Sequence, residues 1–179
     1  MSLAAWDFAV APVRAVEGRY WRILSPRWSS QPLSGAGAAR NGGRWNARGQ
    51  GALYLSESHA TAVAEYLQDL VRPGTLAPYD IESGRILDLT DASIHASLNI
   101  DPQALGRDWR HVRDVEQGRP ASWDFADAAL GAGYEGLRVA SARSAGVNLV
   151  LWRWNVDGGA RVTTIDPNAD QPRDAASWS

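Results

Sequence analysis

Gly131-Ala132-Gly133-Tyr134-Glu135-Gly136 is the stretch on which the fold turns. It matches G-x-G-x-x-G, the spacing with which a strand-to-helix turn brings a pyrophosphate to a helix N-terminus. Its surroundings have the opposite order. Ser122 opens a helical pattern that runs through Leu130, and Leu137-Arg138-Val139 reads as a strand, so a helix precedes the glycines and a strand follows them. They read as a helix C-cap and turn, and a dinucleotide-binding βαβ unit is rejected.

Working outward, the chain alternates short strands and helices, an α+β pattern. Strand candidates lie at 20–24, 52–55, 137–139, 147–154 and 161–165, and two more at 76–82 and 85–89 flank Ser83-Gly84 as a hairpin. Ser56 or Ser58 caps a helix running to about Val71, with Ala62, Val63, Tyr66, Leu67 and Leu70 on its buried face. Asp101-Pro102 reads as a cap and first helical residue. Residues 25–51, rich in Ser, Gly, Pro and Asn, form a long loop of the kind that is functional in a compact domain. Residues 1–179 read as one domain with its core at about 19–165 and a peripheral tail at 166–179.

Composition excludes several classes. Cysteine is absent among the 179 residues, so disulfides, thiolate nucleophiles and thiolate metal sites are excluded. His59, His95 and His111 are too far apart to suggest a metal site. The 18 Lys+Arg are scattered among 20 Asp+Glu for a formal charge of −2, which leaves no basic stripe for nucleic acid. No apolar run approaches the ~20 residues that span a bilayer, and the first residues lack a signal-peptide pattern. A soluble cytoplasmic protein is expected.

Chemistry concentrates in Gly42-Gly43-Arg44-Trp45-Asn46, with Tyr54 and Glu65 beyond it. The glycines permit close backbone approach to a ligand, and Arg44 offers a guanidinium fork for an anion. Most of the nine tryptophans read as packing residues, whereas Trp45, in a polar loop, is as well suited to face a base or sugar as to join the core. Arg22, mid-strand, needs an internal carboxylate or a bound phosphate. Ser141 alone would be a turn residue, and Asn148 interrupts an apolar strand, so its amide needs buried partners and is placed to orient a neighbour.

Taken in order, Tyr20-Trp21-Arg22-Ile23, Pro32-Leu33-Ser34-Gly35, Gly42-Gly43-Arg44-Trp45-Asn46, Leu53-Tyr54-Leu55-Ser56-Glu57-Ser58, Ala64-Glu65 and Ser141-Ala142-Arg143 with Asn148 resemble the RES domain. This is the toxin of a bacterial toxin–antitoxin class, and the likeness runs from roughly residue 19 to residue 154. The arginine, glutamate and serine of the family's name match Arg44 or Arg22, Glu65 and Ser141, with Ser144 a second candidate serine. Ala140 departs from the proline of many members.

The resemblance implies an ADP-ribosyltransferase-like split β-sheet with flanking helices, NAD+ as substrate and no metal. It also implies growth arrest through loss of nicotinamide, with ADP-ribose passed to water, phosphate or a protein. The implied partner is an Xre-type antitoxin with a helix-turn-helix domain that covers the active site and itself binds DNA. In this reading Arg22 and Arg44 hold phosphates, Tyr54 with Trp45 or Tyr20 stacks a ring, and Ser141 and Asn148 hydrogen-bond the ligand. Glu65 stabilises the cationic transition state or activates the acceptor. Two other readings stand beside it. A non-catalytic carbohydrate- or protein-binding module would use the exposed aromatics, and a glycosidase would need a second carboxylate, for which Glu57 and Asp88 are candidates.

Overall fold

A computed structural model describes residues 6–9, 11–67, 72–174 and 176. The last turn expected for the helix after Ser58, at 68–71 with Leu70, lies outside these residues, as does Trp178. Six strands form one sheet: β1 (Arg14–Leu24), β2 (Leu53–Ser56), β3 (Thr75–Asp88), β4 (Gly136–Ala140), β5 (Val147–Leu151) and β6 (Arg161–Thr164). The order is β1-β2-β5-β4-β3-β6, and β1 also pairs with β3, so five strands close into a ring with β6 outside it. β3 runs parallel to β4 and every other pairing is antiparallel. The architecture is α+β with flanking helices, as the split-sheet expectation requires.

The period of two along each strand divides the core into two clusters. Leu53, Leu55, Ile86, Leu149 and Leu151 face one, together with Tyr20, Tyr79 and Val162. Their alternates Leu87, Leu137, Val139 and Val150 face the other, beneath Phe125, Ala126 and Ala129 of a helix, α6. The helices are α1 (Ala36–Asn41), α2 (His59–Leu67), α3 (Ala92–Ser97), α4 (Pro102–Gly106), α5 (Trp109–Asp114) and α6 (Ala121–Gly131). Phe8 and Trp6 extend the second cluster through contacts with Phe125. No helix among the described residues is long and apolar enough to cross a membrane.

The glycines from 131 onward behave as their context required. α6 ends at Gly131, Gly133 turns at φ 89°, and β4 follows from Gly136. A Cβ on Gly136 would lie 2.1 Å from the Val150 carbonyl oxygen, so close packing against β5 explains this glycine without a phosphate.

Three local expectations are corrected. Ser83-Gly84 is not a hairpin: β3 runs through it, and the irregularity appears as a register shift opposite Arg14 and Val16 of β1. Ser83 is buried there, its hydroxyl donating to the buried carboxylate of Glu135. Val63 lies on the outer side of α2, 36% exposed, while Thr61 takes the buried position beside Ala62. The strand expected at 147–154 stops at Leu151, where the amides of Trp152 and Arg153 turn to the Glu135 carbonyl. Asp101 does cap α4, accepting from the Gln103 amide.

Candidate active site

Glu65 is carried by α2 over the ends of β2 and β5. Ser58 starts that helix, its hydroxyl accepting from the Thr61 amide and donating to the Thr61 hydroxyl. Thr61 Oγ1 also accepts from Ser144 Oγ at 3.1 Å, which ties the buried face of α2 to the β4–β5 loop. One turn further along the same face, Ser141 Oγ donates to Glu65 Oε1 at 2.6 Å. Asn148 Nδ2 donates to the same oxygen at 2.7 Å. Among the described residues Oε2 of Glu65 has no hydrogen-bond partner.

The roles within this cluster follow from donor and acceptor capacity. Ser141 Oγ accepts from the amides of Arg143 and Ser144, so its proton is directed at the carboxylate. A hydroxyl held in this way is a fixed donor rather than a nucleophile. Asn148 accepts at Oδ1 from Ser56 Oγ at 2.7 Å, which orients its amide with nitrogen towards Glu65. The buried partners that the sequence required of Asn148 are therefore Ser56 and Glu65. Ser144 meets Thr61 and the Gly146 amide rather than Glu65.

Of this cluster Glu65 and Asn148 line a cleft of about 710 Å³ whose walls also include Arg22, Arg44, Tyr54 and Arg143. Arg44 is half-buried and has neither a hydrogen bond nor an ion pair among the described residues. A partly desolvated guanidinium on a cleft wall is built to receive an anion. Arg22 reaches the cleft while its Nη1 donates to the carbonyls of Pro32 and Ser34. Burial pulls its pKa below the ordinary arginine value, against the opposing influence of the Tyr79 phenol. The partners of this buried arginine are thus mainly carbonyls of the Pro32-Leu33-Ser34-Gly35 turn rather than an internal carboxylate.

The Gly42 to Asn46 segment is packed against its own protein. Tyr54 Oη donates to Asn46 Oδ1 at 2.8 Å and accepts from the Trp45 amide at 3.0 Å. Asn46 in turn donates to the carbonyls of Ala38, Ala47 and Gln50. A Cβ on Gly43 would sit 2.3 Å from Tyr54 Oη, and one on Gly42 would sit 3.0 Å from the Trp123 ring. The close approach these glycines permit is therefore to Tyr54 and Trp123, and its effect is to seat Arg44. Burial raises the Tyr54 phenol well above its ordinary pKa, with the Trp45 amide and Arg44 acting the other way.

Two aromatics lie elsewhere than a polar ligand loop suggests. Trp45 is 7% exposed and packed edge-on to Phe125, and its carbonyl accepts from Trp152 Nε1. It contributes to the cleft wall from within the core. Tyr20 does not line the cleft and belongs to the other core cluster. Burial, reinforced by Glu57, pushes its phenol up to about 12. It shares a face of β1 with Arg22, two residues on, so its absence from the cleft reflects its place along the strand rather than the face it occupies.

The second carboxylates weighed for a glycosidase are also elsewhere. Asp88 Oδ2 pairs with Arg14 at 2.8 Å and with Arg138 at 3.0 Å, and Glu57 pairs with Arg138 at 2.6 Å. Neither lines the cleft, so Glu65 has no facing carboxylate partner from that pair. Sequence reading missed Ser56, Thr61 and Arg72. Ser56 and Thr61 have hydroxyls that a local pattern assigns to capping, and Arg72 enters the cleft wall while stacked 4.1 Å over the Tyr66 ring.

The RES domain family model matches residues 19–174. Toxin Res of Yersinia enterocolitica serotype O:8 / biotype 1B is 30% identical over 90 residues, covering 50% of this chain and 55% of the relative. The chain thus spans about half the length of that curated relative. The fold is similar to a chain in the crystal structure of the M. tuberculosis MbcT-MbcA toxin–antitoxin complex, with TM-score 0.57, 22% identity and 88% coverage of both chains. The family match encloses Arg22, Arg44, Glu65, Ser141 and Asn148, and the chain belongs to the RES domain family.

Proposed function

We propose that this chain is the toxin of a toxin–antitoxin pair, and that it binds NAD+ and cleaves the nicotinamide–ribose bond. The observation that carries the reading is the Glu65 carboxylate, held through Oε1 by Ser141 and Asn148 and set in a cleft walled by arginines. Its unengaged Oε2 faces the reacting sugar in this reading. Arg44 receives the pyrophosphate, with Arg22 beside it.

The step moves positive charge from the pyridinium ring to the sugar. The C1′–N bond breaks, its electron pair leaves with nicotinamide and neutralises the ring nitrogen, and C1′ becomes oxocarbenium-like. A fixed carboxylate stabilises that cation, and it takes the proton of the acceptor oxygen as the new bond to C1′ forms. Water, phosphate and a protein side chain are all acceptors compatible with this chemistry. The antitoxin would be an Xre-type protein with a helix-turn-helix domain, seated over the cleft of a cytoplasmic toxin. The similar fold seen in a toxin–antitoxin complex supports the pairing.

The binding-module reading has less support, because Trp45, Trp109, Trp123 and Trp152 are buried, and Trp21, Trp28 and Trp154 are only partly exposed. The test is incubation with NAD+, with and without phosphate and with cell extract, following nicotinamide, ADP-ribose and labelled protein. Nicotinamide release is expected in at least one arm. Its absence from every arm refutes the reading.

A further inference from the structure

Ser56 stands directly opposite Asn148 in the β2–β5 register and also opposite Trp21, the one β1 residue that pairs with β2. It is 4% exposed and buries a hydroxyl at the strand end beneath the carboxylate. Ser56 Oγ, Asn148 and Glu65 form a continuous series: hydroxyl to amide oxygen at 2.7 Å, then amide nitrogen to carboxylate at 2.7 Å. Reversing the amide would set its oxygen against Glu65 Oε1, acceptor against acceptor. The carboxylate, which only accepts, therefore fixes the amide orientation, and the Ser56 hydroxyl, able to donate or accept, donates to the oxygen it then meets. A donor on the amide oxygen also polarises the amide and strengthens its N–H as a donor.

We infer that Ser56 is a positioning residue, which acts through Asn148 to strengthen the hydrogen bond that holds the Glu65 carboxylate aimed into the cleft. This deepens the reading of Glu65 as the carboxylate that acts on the substrate, and rests on it for its catalytic consequence. The electrostatic consequence for Glu65 stands without any substrate.

Other groups share the carboxylate's surroundings and set the background for its titration. Arg22 of β1, Arg44 of the α1–β2 loop, Arg72 before β3 and Arg143 of the β4–β5 loop line the cleft, with Asp108 and Arg110 at the start of α5. The phenols of Tyr54 and Tyr66 complete the titratable set. Apart from Asp108 the charged groups are cationic. Removing the Ser56 hydroxyl leaves all of them in place, so a change in Glu65 reports the hydrogen-bonded series alone.

The experiment compares the full chain with Ser56→Ala, Ser56→Thr and Asn148→Ala. Glu65 is titrated by its carboxyl 13C shift, and nicotinamide release from NAD+ is measured against pH. Ser56→Ala is expected to raise the Glu65 midpoint by about half a unit to one unit, Asn148→Ala by at least as much, and Ser56→Thr to restore the parent value. In parallel kcat falls about threefold to tenfold in Ser56→Ala with KM little changed, and the acidic limb of the pH profile moves upward with the midpoint. An unchanged Glu65 midpoint in Ser56→Ala overturns the inference. If Ser56→Ala does not fold, a Ser56→Thr protein that keeps the parent structure but shows no Asn148 side-chain amide signal shifted by hydrogen bonding overturns it equally. Absence of nicotinamide release from the parent chain refutes the NAD+ reading instead, and the titration still decides the role of Ser56.

Discussion

Thr61 and Gly146 meet so closely that a Cβ on Gly146 would lie 2.0 Å from Thr61 Oγ1. This contact presses the buried face of α2 against the β4–β5 loop, one turn from the place where Glu65 receives Ser141. Gly146→Ala must displace the helix, the loop or both. We expect a loss of about 1–3 kcal/mol in urea unfolding, together with a fall in nicotinamide release that exceeds the fall in folded fraction at assay temperature. A Gly146→Ala protein with parental stability and turnover would show that the contact relaxes without consequence.

Glu65→Gln keeps the size of the side chain and an oxygen for Ser141 and Asn148, but removes the negative charge. The fold is expected to survive, with an unchanged circular dichroism spectrum and melting temperature. NAD+ turnover should drop by at least about two orders of magnitude. Growth arrest on expression should vanish with it.

Arg44→Ala removes a cleft guanidinium that has no ion pair among the described residues, so little stability should be lost. Calorimetry with NAD+ in a Glu65→Gln background is expected to show affinity reduced about tenfold or more. Equal affinity in both proteins would contradict the phosphate role.

Tyr54→Phe keeps the ring and deletes the hydroxyl that joins the Trp45 amide to Asn46. Two buried polar partners are left without it, at a cost of about 1–3 kcal/mol. Hydrogen exchange should localise the change, with the Trp45 amide losing protection. NAD+ affinity should weaken because Arg44 loses its seat, and an effect on kcat alone would argue for direct substrate contact by the phenol.

Asp88 supplies the pH dependence of stability on the far side of the sheet. Burial by itself would raise its carboxyl, but the Thr90 hydroxyl and amide and the Arg138 guanidinium outweigh it and hold the group below the ordinary carboxylate value. A carboxyl that titrates lower folded than unfolded contributes fully above about pH 4, and that contribution is lost as pH falls further. Unfolding free energy measured downward from pH 5 should therefore decline in the parent. Asp88→Asn should begin about 2 kcal/mol lower at pH 7 and show a shallower acid slope.

Local pattern carried the reading where the cause was local. The α6-to-β4 turn was legible because Gly131, Gly133 and Gly136 sit between a helical and an extended pattern, and Asp101-Pro102 was legible because a cap is a two-residue event. Arg44, Glu65, Ser141 and Asn148 were singled out from order and residue type, and the structure brings the last three within hydrogen-bond distance while Ser141 itself stays behind the cleft wall. Long-range partners decided the rest. Ser83-Gly84 has the composition of a turn, but β1 pairs with β3 on both sides of it and Glu135, 52 residues away, binds the Ser83 hydroxyl. Trp45 sits among polar neighbours in sequence and beside Phe125 in space. Tyr20 and Arg22 share one face of β1, and that only Arg22 reaches the cleft depends on where along the strand the cleft opens, a fact written in the elements packed against β1 rather than in β1.

The closed strand ring has a consequence for the order of synthesis. Glu65 lies in the first half of the chain, while its partners follow 76 and 83 residues later on the loop and strand that complete the ring. A ribosome-bound chain that has emerged only as far as β3 holds the carboxylate but neither donor, and lacks β4 and β5 between which the ring closes. Contacts of such separation form late, after the intervening loop entropy has been overcome. A nascent chain thus lacks the assembled Glu65 cluster until translation has passed Asn148.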